Sequence, residues 1–175
     1  MATIVAVDCT DGVLLAGDRL VVRDGAVVGT RRYVFDFEDV GAAAVGDDPD
    51  AFRRQLDAAL RAYTAEAGEP GIDAVARMAA DAAAEGGVEA LVAARDESGR
   101  TQVRSVTDGV LEERVAALGS GAPTVLGHLE TVGDVDLGGA ESGVQEAFQA
   151  AAARDAGTGE EMDVWRLADE GAEST

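Results

Sequence analysis

Three common catalytic side chains are scarce in this sequence, which has one histidine, one cysteine and no lysine. All 14 basic residues are arginine, so a lysine catalyst is excluded from the outset. No cluster of Asp, Glu or Cys lies at a helical or strand spacing that would make a metal site with the single histidine, His128. The single cysteine, Cys9, excludes an intrachain disulfide, and its place in a strand predicts a small buried side chain. Asp134 and Asp136 are interpreted as a solvated acidic loop rather than a calcium site.

The remaining candidates are hydroxyl and carboxylate side chains beside glycines. Ser120 lies between two glycines, and Asp155 and Thr158 lie together in an Arg-Asp-Ala-Gly-Thr-Gly segment. Each of the three precedes or ends a predicted helix, so helix capping and turn formation explain them nearly as well as a functional role does. The glycines around Ser120 lack the spacing and the lysine of a phosphate-binding loop.

Hydrophobic periodicity predicts the elements that must position these residues. Alternation and β-branched runs predict strands at Thr3–Cys9, Gly12–Asp18, Leu20–Val22, Ala26–Gly29, Tyr33–Phe37, Val40–Gly46, Val88–Ala94, Thr101–Val106, Val110–Ala117 and Met162–Leu167. Helical spacing predicts helices at Pro49–Ala67, Ile72–Glu85, Pro123–Leu129 and Ser142–Arg154. Blocks of strands and helices, rather than strict alternation, predict an α+β fold with helices layered on antiparallel sheets. We expect one domain over residues 1–168 and a disordered acidic tail over residues 169–175.

Five segments in this order resemble the proteasome β-type family of N-terminal nucleophile (Ntn) hydrolases, including the simpler bacterial ring-protease subunits. They are Thr3–Val7, Asp11–Arg19, Val40–Gly46, Gly119–Pro123 and Arg154–Gly159. Each motif is weak alone, but together they span nearly the whole chain, with helices and strands in the right gaps. The resemblance implies a four-layer αββα sandwich, in which two antiparallel sheets pack face to face between helix layers.

The resemblance also assigns positions to a catalytic site. In the family, a threonine at the chain's own N-terminus is the nucleophile, and its free amine helps to activate the hydroxyl. A lysine held by an aspartate lowers the proton affinity nearby, and a glycine amide forms the oxyanion hole. The matching positions, with Thr3 as the family's common second residue, are Ala2, Thr3, Asp18, Arg32, Gly46, Ser120, Asp155 and Thr158.

Two of these positions depart from the family. Ala2, at the nucleophile position, has no hydroxyl group. Arg32 matches the lysine when counted back from Gly46, but a guanidinium is always protonated and cannot shuttle a proton. We therefore expect Arg32 to form a structural ion pair with Asp18. Two missing catalytic parts fit an evolved loss of activity better than a single engineered alanine.

Three functions are compatible with this pattern. The favoured hypothesis is a proteasome-subunit-like protein that has lost peptidase activity and acts through assembly or binding. The second is an active threonine-type peptidase or amidohydrolase that uses Thr3 after trimming of Met1 and Ala2. Alternation along the strand, however, predicts that Thr3 faces away from the pocket that Ala2 faces. The third is a small-ligand binder that uses the vacated pocket. No cofactor or metal is expected.

The composition limits the partners. Acidic residues number 34 against 14 basic ones, and the formal net charge of −20 makes nucleic acid a poor partner. No apolar run approaches the ~18 residues that cross a bilayer, and the N-terminus lacks the order of a signal peptide, so we expect a cytoplasmic protein away from membranes. The acidic excess without lysine predicts a halophilic, archaeon-like protein, whose charges are screened by concentrated salt. The family resemblance implies a homo-oligomer or a ring with related subunits.

Overall fold

The computed structural model describes residues 1–132 and 134–172, which form eleven strands and four helices. The strands are β1 Ile4–Asp8, β2 Gly12–Asp18, β3 Leu20–Arg23, β4 Ala26–Thr30, β5 Val34–Asp36, β6 Gly41–Gly46, β7 Val88–Arg95, β8 Thr101–Val106, β9 Val110–Glu113, β10 Val115–Leu118 and β11 Met162–Ala168. The helices are α1 Pro49–Ala67, α2 Ile72–Gly86, α3 Ala122–Leu129 and α4 Leu137–Ala152. The predicted α+β class is confirmed.

Two antiparallel sheets form the centre of the molecule. One has the strand order β10-β1-β2-β11, and the other has the order β5-β6-β7-β8-β9. A separate two-stranded sheet, β3-β4, stands between β2 and β5 along the chain. Thr3 immediately precedes β1 and Asp18 ends β2, and the pairing of Ile4 with Gly17 brings these two residues side by side. Strand pairing in the first sheet therefore places Thr3 beside Asp18 in the candidate site.

Three apolar clusters bind the layers together. The first lies between α1, α2 and the five-stranded sheet and contains fully buried Phe52 and Leu56. The second lies between the two sheets and contains Ile4 and Leu91. The third lies between the four-stranded sheet and α3 and α4 and contains Phe148. Each such side chain stabilises the fold by about 1.5–3 kcal/mol through burial. The order helix, sheet, sheet, helix confirms the predicted αββα sandwich.

The boundaries of α1 and α2 follow from capping residues. Asp48 Oδ1 accepts a hydrogen bond of 2.9 Å from the Ala51 amide, and Pro49 fills the first helical position. Gly87 ends α2 in the left-handed conformation, with φ of +60°. The predicted start and end of α1 are therefore confirmed, and the end of α2 lies one residue beyond its prediction.

None of the helices in the described part of the chain is long and apolar enough to cross a membrane.

The single strand predicted at Val110–Ala117 is wrong, because this segment forms two strands in different sheets. β9 pairs with β8 at the edge of the five-stranded sheet, whereas β10 pairs with β1 at the edge of the four-stranded sheet. Arg114 lies between them, where the chain crosses from one sheet to the other. The crossing contains neither glycine nor proline, so no turn signal in the sequence marks the break.

The start of α4 was also predicted wrongly, at Ser142 instead of Leu137. Asp136 is the N-cap of this helix, and its Oδ1 atom accepts a hydrogen bond of 2.8 Å from the Gly139 amide. Gly138 and Gly139 have low helix propensity, which disguises the first turn in the sequence. Asp136 therefore has a structural role as a helix cap, beyond the solvated loop that the sequence indicated.

The beginning of the predicted disordered tail is attached to the fold. The Asp169 amide donates to the Asp11 carbonyl, and Asp169 Oδ1 accepts from the Thr101 amide at 2.8 Å and from its hydroxyl at 2.7 Å. The Glu170 amide donates to the Gly99 carbonyl. The tail prediction is therefore wrong for these two residues, and residues 173–175 lie outside the described residues.

Candidate functional site

Ala2 and Thr3 are both buried, on opposite sides of the first sheet. The Ala2 side chain is 3% exposed and belongs to the cluster between the two sheets. Thr3 is fully buried, and its Oγ1 atom contacts the residue before α3 and the segment that follows α4. These adjacent residues thus face different layers of the sandwich, as the alternation of side chains along a strand predicts.

Thr3 belongs to a chain of hydrogen bonds that ends on a carboxylate. The Gly121 amide donates to Thr3 Oγ1 at 2.8 Å, and Thr3 Oγ1 lies 2.9 Å from Thr158 Oγ1. Thr158 Oγ1 donates to Asp155 Oδ2 at 2.6 Å. Because Thr158 gives its one proton to the carboxylate, the proton between the two threonines comes from Thr3. The Thr3 hydroxyl therefore both accepts and donates inside the protein.

Ser120 links the same carboxylate to the start of the chain. Its Oγ atom lies 2.6 Å from Asp155 Oδ2 and also contacts the Met1 carbonyl oxygen. A serine hydroxyl has one proton, so Ser120 donates to only one of these two acceptors at a time. Burial raises the pKa of Asp155, but hydrogen bonds from Ser120 and Thr158 outweigh burial and hold the pKa below its ordinary value. The carboxylate is therefore ionised and anchors both hydroxyls.

Asp18 is fully buried, and backbone amides satisfy its carboxylate. The Thr3 amide donates to Oδ2 at 2.9 Å, the Leu20 amide donates to Oδ1 at 2.8 Å, and a Gly159 backbone bond adds to these. Burial is the largest effect and raises the pKa of Asp18 to about 6, although the amides favour the ionised form. Asp18 thus joins three segments of backbone.

Arg32 does not pair with Asp18, so the predicted ion pair is wrong. The Arg32 side chain is 74% exposed, and its Nε atom lies 4.0 Å from Asp163 Oδ1. Arg19 contacts the same carboxylate oxygen through Nη2. Backbone amides already donate to both oxygens of the Asp18 carboxylate, so this buried group is hydrogen-bonded without a guanidinium. Arg32 consequently remains at the surface.

Tyr33, the residue after Arg32, lies in the core between the sheets, and the sequence did not identify it as a residue of the site. Its side chain is 8% exposed, and its hydroxyl donates to the Leu20 carbonyl at 3.2 Å. Burial raises the pKa of Tyr33, and the charge of Asp18 raises it further against the opposing effect of Arg31. The signal available in the sequence was a mismatch in spacing: counting back from Gly46 places the family's lysine at Arg32, whereas counting forward from Asp18 does not reach the same residue.

Gly46 ends β6, where its backbone passes close to the backbone of Gly87. Its φ is +141°, and a Cβ atom there would lie 2.5 Å from the Gly87 carbonyl oxygen. The Asp47 amide donates to that same oxygen at 3.0 Å. Backbone geometry alone therefore requires glycine at this position. A role for Gly46 as an oxyanion donor stays a prediction.

Cys9 and His128 take no part in this network. Cys9 Sγ lies 3.6 Å from the Val7 carbonyl oxygen, and burial together with nearby carboxylates raises the pKa of Cys9 to about 12, so the thiol is unreactive. His128 Nε2 lies 3.5 Å from Glu146 Oε2, between α3 and α4. Within residues 1–132 and 134–172, no group of three His, Cys, Asp or Glu side chains could hold a metal ion.

The residues of the candidate site form one hydrogen-bonded network beside the apolar core. Position 2 carries a buried methyl group, and the buried side chain near Asp18 is the phenol of Tyr33, which carries no positive charge. The hydroxyl of Thr3 is hydrogen-bonded to that of Thr158, and the hydroxyls of Thr158 and Ser120 both contact the Asp155 carboxylate. These bonds fasten the first residues of the chain to α3 and to the segment after α4.

Comparisons with known proteins cover nearly the whole chain. A family model described as "Proteasome subunit" matches residues 1–167 of the 175. "Proteasome subunit beta 1" of Staphylothermus marinus is 28% identical to this chain, over 97% of this chain and 85% of the relative. The order of strands and helices and the four-layer packing agree with this match. The chain belongs to the proteasome subunit family.

Proposed function

We propose that this chain is a non-catalytic proteasome-subunit-like protein that acts by assembling with copies of itself or with related subunits. Ala2 carries the proposal, because it stands at the family's nucleophile position and is only 3% exposed. A methyl group has no lone pair with which to attack a carbonyl carbon, so this position cannot supply the nucleophile of a peptidase.

The surroundings of Ala2 support the loss of the activating group as well. Arg32 extends into solvent beside Asp163, so its positive charge is remote from the core. Tyr33 lies in the core instead, and with a raised pKa its phenol is neutral near pH 7. A neutral phenol does not provide the fixed positive charge that a lysine supplies next to a nucleophile.

A threonine-type peptidase that uses Thr3 is less well supported. Thr3 is fully buried on the side of α3 and α4, and its hydroxyl is committed to Gly121 and Thr158. Its amide donates to Asp18, which fixes the residue in the sheet. For Thr3 to attack a substrate, the start of β1 would have to separate from the first sheet.

A small-ligand binder in the vacated pocket also receives little support. The Tyr33 ring and the Ala2 methyl group both belong to the packed cluster between the sheets. A ligand at this place would have to displace Tyr33, which would break the hydrogen bond to the Leu20 carbonyl. Packing therefore favours assembly over ligand binding as the role of this chain.

The composition supports a saline environment for the assembly. With 34 acidic residues and 14 arginines, at least 20 carboxylates have no arginine of their own even if every arginine forms an ion pair. At roughly 1 M salt the Debye length is about 3 Å, so repulsion among these carboxylates is largely screened. Association of two such chains becomes feasible under the same conditions.

Two measurements on the purified chain in molar KCl test this proposal. Fluorogenic peptides should not be hydrolysed, and a threonine-directed epoxyketone should leave the intact mass unchanged. Light scattering should detect a particle several times heavier than the 17.8 kDa chain. A mature chain that begins at Thr3 and carries an epoxyketone adduct would overturn the lack of catalysis. A particle of monomer mass at micromolar concentration would overturn the assembly.

A further inference from the structure

A groove with an apolar floor lies beside the end of α1, and we refer to it as the α1 groove. Its floor is formed by Phe37 and Val40 of the turn between β5 and β6, by Leu60 of α1 and by Pro70 of the loop that follows. Val40 and Leu60 belong to the buried cluster under α1 and α2, and Phe37 packs against that cluster. The groove has a volume of about 560 Å³. This volume lies within the range of roughly 300–1,000 Å³ that is usual for ligand sites.

The α1 groove continues into a second depression, so the concave surface is elongated. The second depression has a volume of about 300 Å³ and shares Val40, Glu69 and Pro70 with the first. It extends to Arg95 and Gly171, near the end of β11. A surface of this shape favours an extended peptide over a compact small molecule.

Three carboxylates line the rim of the α1 groove, those of Asp36, Glu38 and Glu69, and all three residues are exposed. Asp36 Oδ1 accepts hydrogen bonds from the Glu38 amide at 2.9 Å and from Trp165 Nε1 at 3.2 Å, which leaves Oδ2 to bind a ligand. None of the three carboxylates forms an ion pair within residues 1–132 and 134–172. The rim therefore lacks a cationic partner from this part of the chain.

The one arginine on the wall of the α1 groove is already neutralised. Arg61 Nε lies 3.1 Å from Asp57 Oδ2 and 3.2 Å from Asp57 Oδ1, one turn earlier in α1. The rim carboxylates thus need a cation from outside, and the floor needs an apolar group. A guanidinium suits the rim, because its planar fork of donors matches carboxylates and it is more weakly hydrated than an ammonium group.

We propose that the α1 groove binds an extended peptide segment of another protein, in which an arginine is flanked by apolar residues. The guanidinium binds the rim carboxylates, and the neighbouring apolar side chains pack on Phe37 and Leu60. The groove borders the cluster between α1, α2 and the five-stranded sheet, whereas Ala2 belongs to the cluster between the two sheets. Binding in the groove is therefore independent of the candidate site and of the proposed assembly.

Trp165 provides a direct readout of this binding. It is the single tryptophan of the chain, and its indole donates to Asp36 at the rim. Titration with the peptide acetyl-Leu-Arg-Phe-Leu-amide in molar KCl should change the Trp165 emission and reach saturation. At roughly 1 M salt the Debye length is about 3 Å, so long-range attraction to the acidic surface contributes little. Calorimetry of the same titration measures binding without relying on the fluorescence.

Two further probes identify what the α1 groove recognises. The same peptide with glutamate in place of arginine should bind at least about tenfold more weakly, because it loses charge-assisted hydrogen bonds to the rim. Arginine amide alone should also bind at least about tenfold more weakly, because it lacks the apolar contacts with the floor. Equal binding of the glutamate peptide would overturn the role of the rim. Arginine amide that binds as tightly as the arginine peptide would overturn a peptide as the ligand.

Matched charge variants locate the binding. Glu38→Gln combined with Glu69→Gln should weaken binding of the arginine peptide by at least about tenfold. Glu66→Gln combined with Glu85→Gln makes the same charge change at exposed positions outside the groove and should leave binding unchanged. Equal weakening by the two pairs would show a general attraction to the acidic surface and would overturn the groove as the site.

A groove-filling variant tests the same site by shape. Ala65→Phe places a ring in the α1 groove and should abolish binding, whereas Ala62→Phe, at an exposed position of the same helix outside the groove, should not. Light scattering of each variant shows whether the assembly is unchanged. Wild-type chain that gives no saturable binding by either fluorescence or calorimetry would overturn the peptide site and leave the proposed assembly standing.

Discussion

Arg32 and Tyr33 are adjacent in the chain, yet one side chain lies in solvent and the other in the core. The Arg32 side chain is 74% exposed beside Asp163, whereas Tyr33 is 8% exposed in the cluster that contains Ala2. The charge of Asp18 raises the pKa of Tyr33, which shows that the two side chains are close, whereas Arg32 lies beside Asp163. A positive charge introduced at position 33 would therefore lie near Asp18, and one at position 32 would not.

Peptide hydrolysis is expected only when Ala2→Thr is combined with Tyr33→Lys. The first change supplies the hydroxyl, and the second replaces a neutral ring with an ammonium group near Asp18. General acid–base assistance is worth roughly 10²–10⁴ in rate, so the double variant should hydrolyse peptides measurably while Ala2→Thr alone stays at background. Fluorogenic peptide hydrolysis measures the rate, and the intact mass after epoxyketone treatment identifies the nucleophile.

Two control variants separate charge from packing in this experiment. Ala2→Thr with Tyr33→Phe retains the ring and adds no charge, so it should stay inactive. Ala2→Thr with Arg32→Lys, the pair that the family pattern alone would recommend, should also stay inactive because position 32 faces solvent. Hydrolysis by the Arg32→Lys pair would show that the lysine at 32 turns inward and that Tyr33 does not determine the site.

The positions of Arg32 and Tyr33 also show which part of the candidate site could not be predicted from the sequence. Thr3, Asp18, Ser120, Asp155 and Thr158 were predicted as one group, and the structure brings their polar atoms together. A register irregularity between Val21 and Val22 lies in the hairpin between Asp18 and Tyr33. A bulge of this kind changes which face later residues occupy, and spacing in the sequence does not reveal it.

Long-range pairing limited the prediction of the fold in the same way. Helix α1 was predicted at its observed ends, because local signals such as the Asp48 cap determine them. The division of residues 110–118 between two sheets depends on partners in β8 and β1, and these lie far away in the sequence. Local patterns therefore identified the elements, and only the structure identified the partner of each strand.

Thr158→Val is expected to destabilise the protein by about 1–3 kcal/mol, because it leaves buried polar groups without partners. Thr158 Oγ1 connects Thr3 Oγ1 with Asp155 Oδ2, so its removal breaks both hydrogen bonds at once. Thr158→Ser retains the hydroxyl and should cost less than Thr158→Val. Urea unfolding in molar KCl measures the free energies of unfolding. Equal stabilities of the valine and serine variants would mean that the hydroxyl chain contributes nothing to the fold.

Gly119→Ala should be severely destabilising, whereas Gly127→Ala should be neutral or stabilising. Gly119 has φ of +105°, and a Cβ atom there would lie 1.9 Å from the Ala2 carbonyl oxygen. Gly127 is inside α3, and a Cβ atom there meets nothing within 4 Å. Alanine is favoured over glycine by about 0.5–1 kcal/mol inside a helix. Melting temperatures of the two variants make the comparison, and a tolerant Gly119→Ala would show that the start of the chain can move away.

The buried carboxyl of Asp18 should make the fold more stable as the pH falls from 7 to 5. Its folded-state pKa of about 6 lies above the ordinary value of 3.8, so the folded state binds the proton more tightly. The stability gained is fully present below the ordinary pKa and is lost as the pH rises through about 6. The difference of roughly two units corresponds to at most about 3 kcal/mol.

Carboxyl carbon NMR in molar KCl measures this titration directly, and melting temperatures at pH 7 and pH 5 measure its effect on stability. Asp18→Asn should reduce the gain in melting temperature on acidification, and Asp108→Asn at an exposed position should leave it unchanged. A titration midpoint of Asp18 below pH 4.5 would contradict the proposed effect of burial.

The melting temperature should rise steeply between ~0.1 M and ~2 M KCl. Carboxylates outnumber arginines by 20, so many exposed acidic side chains lie near other acids. Two charges ~4 Å apart interact by about 1 kcal/mol in water, and a native domain is stable by only about 5–15 kcal/mol. A few unscreened repulsions therefore suffice to unfold the chain, and salt weakens each of them. Neutralising the adjacent exposed pair with Glu160→Gln and Glu161→Gln should reduce the dependence on KCl. A melting temperature that stays flat across this range would show that the acidic surface is an ordinary one.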